Sequence, residues 1–584
     1  MNRAELRICL YNTKSLDIYN IMSLLESMAI RKRTALEFSW IPALMCLSLH
    51  KETRTVPVLV AIILFQLIIN YSLNSFRWHL ENNSRDNQGN GGQLPPQYPS
   101  FFPYVSNALS FVCNNANFIQ RATLTSSRIS FLGFDIYAFQ DRQTVAKIWK
   151  QSTLSSPISM FIYVLKYFFG LPDSVVSVYR ADDSGPFPKP YSGSNVLATD
   201  RIDHITHHGF LRALGGPGLL PTSRRYMNAL AARMHNKNIS SEWVEMADFS
   251  NLFQEMVGAS LIECVYGPSM LRLNPKFMED LWGFDLKRWY TYAREHFDDS
   301  HISSDGDGDP YWGSNLMRYR QEKLLAVKNH DDDALARMDL GLAWGAVGNT
   351  IPCAMLSAFH LFSDPDLLRR VRNDINLSFG DQQLQGIDPN KLTKRPLLSS
   401  IYAETLRFYV KTYFVVSSPH TDVHLGRWTL PKSRIGLMNA GVSHMDSDFW
   451  NSRDGKHPVT TFWADRFIID QRDPQSGPIA SEVRESPEWM GRRRDNEEKA
   501  RMNSDPFFSM EGTEGSWFPY GGGHSICPGR FLAKNVILFT CALLAKEYDV
   551  EMLTDKIEMS TWRFGLGVGG LKHPLPFRIR KRNA

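Results

Sequence analysis

Cysteine is scarce in this chain, and charge of one sign is not in excess. The 584 residues include 7 cysteines, scattered without a CxxC pair or a regular spacing. An odd, scattered set argues against a disulfide framework and fits a reducing compartment. The formal net charge is only +5, which gives no case for binding nucleic acid. The sequence also contains no internal repeat and no flavin or nicotinamide fingerprint, so any such cofactor is expected on another protein.

A long apolar run lies near the start of the sequence. Residues 55–71 carry no charge. The length of this run is at the short end of what spans a membrane as a helix. The run begins too deep in the chain for a cleaved signal peptide. The sequence therefore predicts an N-terminal extension over 1–54, a transmembrane anchor over 55–71, and a linker with a proline-rich hinge over 72–103. A buried core helix is the alternative interpretation of the apolar run.

The remainder, residues 104–584, is predicted to form one large and mainly helical domain with small β-sheets. Helical patterns dominate residues 220–410, whereas residues 128–139 and 421–438 show the alternation and turn signals of short strands. The polar stretch 469–515 is predicted to be exposed and irregular.

The segment from Phe518 to Arg530 places one cysteine, Cys527, between a run of three glycines and a long apolar stretch. That stretch predicts a buried helix, and Pro528 is suited to its first position. A sulfur at a helix N-terminus is favoured as thiolate, and glycines leave room for a flat cofactor against the backbone. The pattern indicates a thiolate that holds a metal from one side. The alternative is an ordinary buried cysteine at a helix cap.

This segment resembles the haem-binding loop of the cytochrome P450 superfamily, Phe-x-x-Gly-x-Arg/His-x-Cys-x-Gly, whose cysteine thiolate is the axial ligand of the iron. The resemblance makes Cys527 the metal ligand. Ser525 stands where the family has Arg or His, so His524 or Arg530 is expected to take part of the contact with the haem propionates. The cofactor-binding residues that the resemblance implies are Tyr520, Gly521, Gly523, His524, Ser525, Gly529 and Arg530.

A second part of the resemblance is a set of three charged residues. Glu404 and Arg407 are three apart on a predicted helix, on one face and able to pair. In the family such a pair joins an arginine from a downstream Pro-Glu-Arg-Phe-like segment, and Phe462-Trp-Ala-Asp-Arg-Phe supplies Arg466 here. The resemblance implies a structural network that positions the haem loop.

The predicted buried helix 339–356 contains Pro352, which removes a hydrogen bond to the Gly348 carbonyl and is expected to open that turn. In the family this turn is the oxygen site, which usually carries an acid followed by threonine. Gly348 and Asn349 stand in those places, as in the branch that includes cholesterol 7-alpha-hydroxylase and prostacyclin synthase, and in fungal secondary-metabolism members. The catalytic candidates are Gly348, Asn349 and Thr350, with water at the Gly348 carbonyl relaying protons to oxygen, unless the reaction needs no relay.

The arginine that family members use for a haem propionate, some nine residues after Arg407, is missing. Ser417, Ser418 or His420 could substitute for it, and His207 with His208 could face the propionates from the other side; ordinary surface or core histidines are the alternative.

The resemblance implies a cytochrome P450 fold, mainly α (α+β), with haem between two long helices. It implies a membrane-bound haem-thiolate monooxygenase that contains haem b, receives electrons from NADPH through a flavoprotein reductase, and oxidises a hydrophobic small molecule such as a terpenoid, steroid or polyketide, in secondary-metabolite biosynthesis. It also implies a single-pass anchor in the endoplasmic reticulum membrane with the catalytic domain in the cytosol, although the basic residues before the anchor favour the opposite orientation. The alternatives are a reductase-independent isomerase of the prostacyclin synthase type and a haem carrier or sensor without turnover.

Overall fold

The computed structural model describes residues 55–83, 92–101, 107–154, 162–278, 307–485, 505–560, 565 and 567–582. The predicted N-terminal extension over 1–54, together with residues 84–91, 102 and 103 of the predicted linker and hinge, lies outside the described residues.

Eighteen α-helices are assigned within those ranges. They are α1 Thr55–Asn83, α2 Ala108–Cys113, α3 Asn115–Ala122, α4 Arg142–Ile148, α5 Asp173–Ala181, α6 Ile202–Phe210, α7 Leu219–Asn236, α8 Phe249–Phe253, α9 Ala259–Tyr266, α10 Pro268–Leu273, α11 Asn315–Leu325, α12 Asp332–Ser363, α13 Pro365–Phe379, α14 Pro389–Thr393, α15 Pro396–Tyr409, α16 Ala440–Ser443, α17 Ser481–Arg484 and α18 Arg530–Glu547.

Eleven short strands accompany the helices in the described part of the chain. They are β1 Ser127–Phe131, β2 Phe134–Ala138, β3 Val244–Met246, β4 Tyr413–Val416, β5 Val423–Leu425, β6 Trp428–Leu430, β7 Ile435–Asn439, β8 Ile468–Ile469, β9 Phe507–Phe508, β10 Tyr548–Met552 and β11 Phe577–Lys581. The prediction of a mainly helical chain with small sheets is confirmed, as are the strands predicted over 128–139 and 421–438.

The described residues form two compact units. Unit 1 comprises the described residues of Met1–Lys147 and Val415–Met438, and unit 2 comprises those of Ile148–Phe414 and Asn439–Ala584. Unit 1 contains the hairpin β5–β6 and most of a four-stranded sheet in the order β1-β2-β7-β4. Strands β1 and β2 are antiparallel, and β2 pairs with β7 in parallel.

Helix α1 of unit 1 extends beyond the charge-free run over which the anchor is predicted. It continues to Asn83, so residues 72–83 of the predicted linker are helical. Two of its aromatic residues pack on the proline-rich segment: the Tyr71 and Phe101 rings stack at 4.0 Å, and Trp78 meets Tyr98 edge-on at 5.6 Å. These aromatic contacts give the helix a partner beyond the charge-free run, which explains why it does not stop there.

The proline-rich segment is extended, as the sequence predicts, and it is tied to the sheet of unit 1. The Tyr98 N–H donates to the Arg128 carbonyl, and the Arg128 N–H donates to the Pro96 carbonyl, both at 2.8 Å. Residues 102 and 103 of the predicted hinge lie outside the described residues. The part that is described is held to β1 by backbone hydrogen bonds.

Two described helices are long and apolar enough to cross a membrane. One is Val60–Glu81 within α1, of which none is buried, and the other is α12, which is 61% buried. Because most of α12 lies inside the protein, it is a core helix of unit 2. Helix α1 instead exposes its apolar side chains, with Leu64 at 54% and Phe65 at 66% exposed.

The core of unit 2 is built around α12 and α18, which pack along each other. Helix α12 begins at Asp332 because the Asp331 side chain caps it, accepting the Ala334 N–H at 2.8 Å. Helices α7, α13 and α15 surround this pair, and most of the inward-facing side chains of α15 and α18 are fully buried. This rigid centre supports the loop that precedes α18.

Candidate active site

The loop that carries Cys527 is closed by its own backbone. It passes through a short 3₁₀ turn, Gly523–Ser525, and returns so that the Cys527 N–H donates to the Tyr520 carbonyl at 2.9 Å. The Tyr520 side chain is held in turn by the Tyr402 hydroxyl of α15, which donates to the Tyr520 hydroxyl oxygen at 3.1 Å. The cysteine therefore lies at the end of a hairpin-like loop whose base is anchored to a core helix.

Helix α18 does not start at Pro528. Residues 528 and 529 form a turn, and Gly529 is the N-cap, with its carbonyl accepting the Ala533 N–H at 2.8 Å. The predicted first residue is therefore wrong by one half-turn. The cysteine still directly precedes the helix N-terminus, because only this turn separates Cys527 from Arg530.

The Cys527 thiol differs from the buried cysteines in its exposure. Burial raises the pKa of Cys264, Cys353 and Cys541 to about 12. Cys527 is exposed. Desolvation by the protein around it also raises the pKa of Cys527, while the N–H groups of Gly529 and the following residue lower it. The Cys527 side chain is exposed, as a metal ligand requires, but its pKa is raised overall, so desolvation outweighs the helix N-terminus expected to favour the thiolate.

Trp149 lies against two of the three consecutive glycines of the loop, Gly522 and Gly523. Gly521 and Gly523 have φ of 73° and 62°, the left-handed region that favours glycine. A Cβ at Gly522 would lie 2.4 Å from the Trp149 ring, and a Cβ at Gly523 would lie 2.8 Å from the Trp149 carbonyl oxygen. The sequence suggests that these glycines admit a flat cofactor. In the structure the close neighbour is Trp149, through its indole at Gly522 and its backbone carbonyl at Gly523, and no pattern in the sequence points to this residue.

Two buried nitrogens beside the loop lack a partner among the described residues. They are Nε1 of Trp149 and Nε2 of His524. The His524 ring lies 5.2 Å from Phe187, and the pKa of His524 is lowered by burial and then by the nearby His207. Haem carries two carboxylates whose oxygens would accept from such donors. Together with an open thiol, these unsatisfied nitrogens fit a haem group.

The remaining loop candidates are placed differently. Arg530 turns back on the loop, with its Nη1 donating to the Cys527 carbonyl at 3.0 Å and its guanidinium 4.2 Å from the Phe531 ring. Ser525 is exposed, and a Cβ at Gly529 would meet the Cys527 sulfur at 3.9 Å, an ordinary contact. Arg530 thus supports the backbone at the cysteine.

Glu404, Arg407 and Arg466 form the predicted network. Arg407 donates to both oxygens of Glu404, at 2.7 and 2.8 Å, and the Arg466 Nε donates to the same two oxygens at 3.1 and 3.2 Å. None of the three side chains has exposed surface. Their remaining donors bind backbone carbonyls, including that of His444 at 2.7 Å from Arg407. One carboxylate thereby holds two guanidiniums from segments about sixty residues apart.

The predicted oxygen-site segment lies on α12 without a break. The assigned helix runs through Pro352 from Asp332 to Ser363, so the predicted opened turn does not interrupt it. Thr350 is half-buried and Asn349 is exposed. The Asn349 Oδ1 accepts the Val568 N–H at 3.1 Å. The asparagine amide oxygen is therefore bound to a backbone loop.

The candidate substitutes for the missing propionate arginine belong to different units of the chain. Ser417, Ser418 and His420 belong to unit 1, where the Ser418 hydroxyl accepts the Thr421 N–H at 3.3 Å. On α6 of unit 2, His208 is exposed and its Nδ1 lies 3.3 Å from the Tyr319 hydroxyl. His207, which is half-buried and influences His524, is the better placed of the two histidines.

Comparisons with known proteins agree with this geometry. The cytochrome P450 family profile matches residues 314–454, which contain α12, Glu404 and Arg407. "Cytochrome P450 monooxygenase fsoE" of Humicola fuscoatra is 29% identical over 91% of this chain and 96% of its own length. "Cytochrome P450 monooxygenase efuG" of Hormonema carpetanum is 28% identical over 88% of this chain and 95% of its own length.

A more distant relative is the cholesterol 7-alpha-monooxygenase of Cricetulus griseus, which is 24% identical over 46% of this chain and 50% of its own length. These relatives fit the resemblance drawn from Gly348 and Asn349, which points to the cholesterol 7-alpha-hydroxylase branch and to fungal members of the family. An open cysteine before α18, a fully buried Glu-Arg-Arg network and these relatives lead to one conclusion: the chain contains a cytochrome P450 domain, is similar along most of its length to fungal cytochrome P450 monooxygenases, and is an oxidoreductase.

Proposed function

We propose that this protein is a membrane-bound haem-thiolate monooxygenase that inserts one oxygen atom into a hydrophobic small molecule. Its electrons would come from NADPH through a partner flavoprotein reductase. The observation that carries the proposal is Cys527, an exposed thiol at the N-terminal end of α18 with two backbone N–H groups beside its sulfur. The cofactor that such a ligand suits is haem b.

The substrate proposed is a terpenoid, steroid or polyketide, and the pathway is secondary-metabolite biosynthesis. The names of several relatives support an apolar, fused-ring substrate. One is a cholesterol 7-alpha-monooxygenase and another a 7-alpha-hydroxycholest-4-en-3-one 12-alpha-hydroxylase. The exposed apolar side chains of α1 support an anchor in the endoplasmic reticulum membrane, where such substrates dissolve.

Each part of the loop has a separate task in this proposal. When bound, haem supplies the cleavage of dioxygen, and thiolate donation to its iron favours that step. Cys527 would ligate the iron, while the unsatisfied nitrogens of Trp149 and His524 would receive the propionate oxygens. The buried network of Glu404 would keep the loop in place without itself moving a proton.

In this proposal, groups on α12 deliver the protons. Because the Asn349 Oδ1 is bound to the Val568 N–H, its amide nitrogen and the Thr350 hydroxyl are the groups expected to hold water. Gly348, which replaces the usual acid, offers only its backbone. We therefore propose a relay through water rather than through a carboxylate.

The axial ligand is tested by replacing cysteines. We expect reduced wild-type protein with carbon monoxide to give the red-shifted Soret band of a thiolate ligand, and Cys527→Ala to lose it. Cys541→Ala is the matched control, because this thiol is buried in the same helix region and its pKa is raised to about 12. Retention of the red-shifted band by Cys527→Ala would overturn the assignment.

One observation favours a second candidate, an isomerase of the prostacyclin synthase type. With glycine and a tethered asparagine in place of the acid and the alcohol, α12 lacks side chains of the usual relay at positions 348 and 349. Turnover separates the candidates: a monooxygenase needs NADPH and reductase, whereas the isomerase converts an endoperoxide without them. A carrier or sensor would turn over in neither assay.

A further inference from the structure

His444 lies between the buried charge network and the cysteine loop. It is fully buried at the C-terminal end of α16, and its own N–H donates to the Ala440 carbonyl at 2.8 Å. Its carbonyl accepts the Arg407 Nη1 at 2.7 Å. The backbone of this residue is thus part of the shell around Glu404.

The ring of His444 binds two further segments. Nδ1 lies 3.1 Å from the Val410 carbonyl oxygen, just after α15, and must donate because a carbonyl only accepts. Nε2 accepts the backbone N–H of Phe518 at 3.2 Å. These two bonds require the neutral ring with its proton on Nδ1. Burial, followed by the charge of Arg407, lowers the pKa of His444 to about 3, in accord with that form.

Phe518 is where the cysteine loop begins. Its side chain is 3% exposed and packs against the rings of Phe414 at 5.9 Å, Trp149 at 6.0 Å and His444 at 5.7 Å. Two residues later Tyr520 supplies the carbonyl that accepts the Cys527 N–H. The bond to His444 therefore fixes the start of a loop whose end is the proposed ligand.

We propose that His444 is a positioning residue, which transmits the placement of the Glu404 network to the Cys527 loop through its Nε2. An apolar side chain of similar volume would fill the space but would leave the Val410 carbonyl and the buried Phe518 N–H without a partner. The proposal rests on the proposed function for its effect on haem. The bond itself can be tested without haem.

Three variants separate the two ring nitrogens. His444→Gln can place its amide oxygen near the position of Nε2, whereas His444→Asn can replace only Nδ1, and His444→Phe replaces neither. The main-chain contact with Arg407 is the same in all three. His360→Phe is the matched control, because His360 is another histidine packed in the protein interior, and its Nε2 contacts the Tyr409 hydroxyl at 2.7 Å instead of the loop.

Haem release from the full-length holoprotein and the Soret band of its reduced carbon monoxide complex are the first readouts. We expect haem to leave His444→Phe and His444→Asn about tenfold faster than wild type, the effect of one buried hydrogen bond, with part of the red-shifted band lost. His444→Gln and His360→Phe should stay within about twofold. Equal release rates for His444→Gln and His444→Phe would overturn the proposal, since the acceptor at Nε2 would then be irrelevant.

Hydrogen exchange of peptides that contain Phe518, measured on the haem-free full chain, is the second readout. The N–H of Phe518 should exchange faster in His444→Phe and His444→Asn than in wild type and His444→Gln. Unchanged exchange in all variants contradicts the role of His444, whatever the cofactor. If wild type binds no haem through Cys527, the proposed function fails, while this exchange pattern still decides the inference.

Discussion

The Glu404 carboxylate and the Arg407 guanidinium form a bidentate ion pair in which neither side chain has exposed surface. Arg466 shares the same carboxylate. Burial of charges is costly unless every group is paired, and here the arginine donors that remain bind backbone carbonyls. The pair is therefore a structural centre of unit 2 whose partners depend on one another.

Removal of the negative charge that Glu404 shares between two arginines should strongly destabilise the folded protein. Glu404→Gln leaves two buried guanidiniums facing a neutral amide, so we expect a loss of about 3–5 kcal/mol in the free energy of unfolding. The measurement is chemical unfolding, together with the yield of holoprotein. Glu322→Gln is the control, since the Arg318–Glu322 pair is also helical but exposed, and it should cost less than about 1 kcal/mol. Equal losses in the two variants would contradict a special role for the buried pair.

Gly523 should tolerate no side chain. In Gly523→Ala the new Cβ meets the Trp149 carbonyl oxygen at 2.8 Å, and φ of 62° is strained for alanine. We expect lower haem content and a destabilisation of about 1–3 kcal/mol, measured by the haem-to-protein ratio and by thermal unfolding. Gly386→Ala serves as control, because nothing lies within 4 Å of its Cβ. A normal haem content in Gly523→Ala would mean that the loop can shift away from Trp149.

Buried histidines should make the protein sensitive to acid. Burial lowers the pKa of His360 from its ordinary value of 6.5 to about 4. The unfolded chain takes up a proton as pH falls below 6.5, while the folded chain does not until about pH 4. The stabilisation is therefore present above pH 6.5 and is lost as pH falls between these values.

The test of this linkage is His360→Phe. Between about pH 6.5 and 4, the slope of the unfolding free energy against pH should fall by at most about 1.4 kcal/mol per pH unit. Asp203, whose pKa burial raises to about 6, gives an opposite slope that both proteins share. His573→Gln, at a side chain 73% exposed, should leave the slope unchanged. The linkage is refuted if both variants keep the wild-type slope.

Helix α1 should hold the protein on membranes. Leu64 and Ile68 are 54% and 55% exposed on the described helix, and a charged residue at the centre of a span costs roughly 2.5–3.5 kcal/mol. We expect the double variant Leu64→Lys with Ile68→Lys to move from the membrane pellet to the supernatant after fractionation. Leu377→Lys, at a side chain 89% exposed on α13, should stay in the pellet. Retention of the double variant in the pellet would show that another segment anchors the chain.

Most of the candidate site could be identified from the sequence because its elements have local signatures. A cysteine between glycines and an apolar run, and a Glu-x-x-Arg on a helix, are short patterns with fixed geometry. Trp149 and His444 carry no such pattern. Trp149 acts through its contact with Gly522, and His444 acts through its contact with Phe518. Both contacts join distant segments of the chain, and a single tryptophan or histidine in a sequence does not indicate such a contact.

Boundaries were less predictable than elements. The helix was predicted to begin at Pro528, but the hydrogen bond from Ala533 to Gly529 sets its first turn later. The charge-free run ends at Tyr71, but helix α1 continues to Asn83, and the Tyr71 ring stacks on Phe101. The start of α18 follows from its own backbone hydrogen bonds, whereas α1 has aromatic partners that a run of apolar residues does not reveal.

By itself, the sequence determined that this is a mainly helical chain with an apolar N-terminal helix, and it predicted Cys527 as the iron ligand, since periodicity and spacing are local properties. Only the tertiary structure decided how the loop of that cysteine is held. The Trp149 indole occupies the space where a Cβ at Gly522 would lie, the Glu404 carboxylate pairs with two arginines, and the His444 ring joins that network to Phe518. Such contacts join residues far apart in the chain, and packing and hydrogen bonding specify them only once the core has formed.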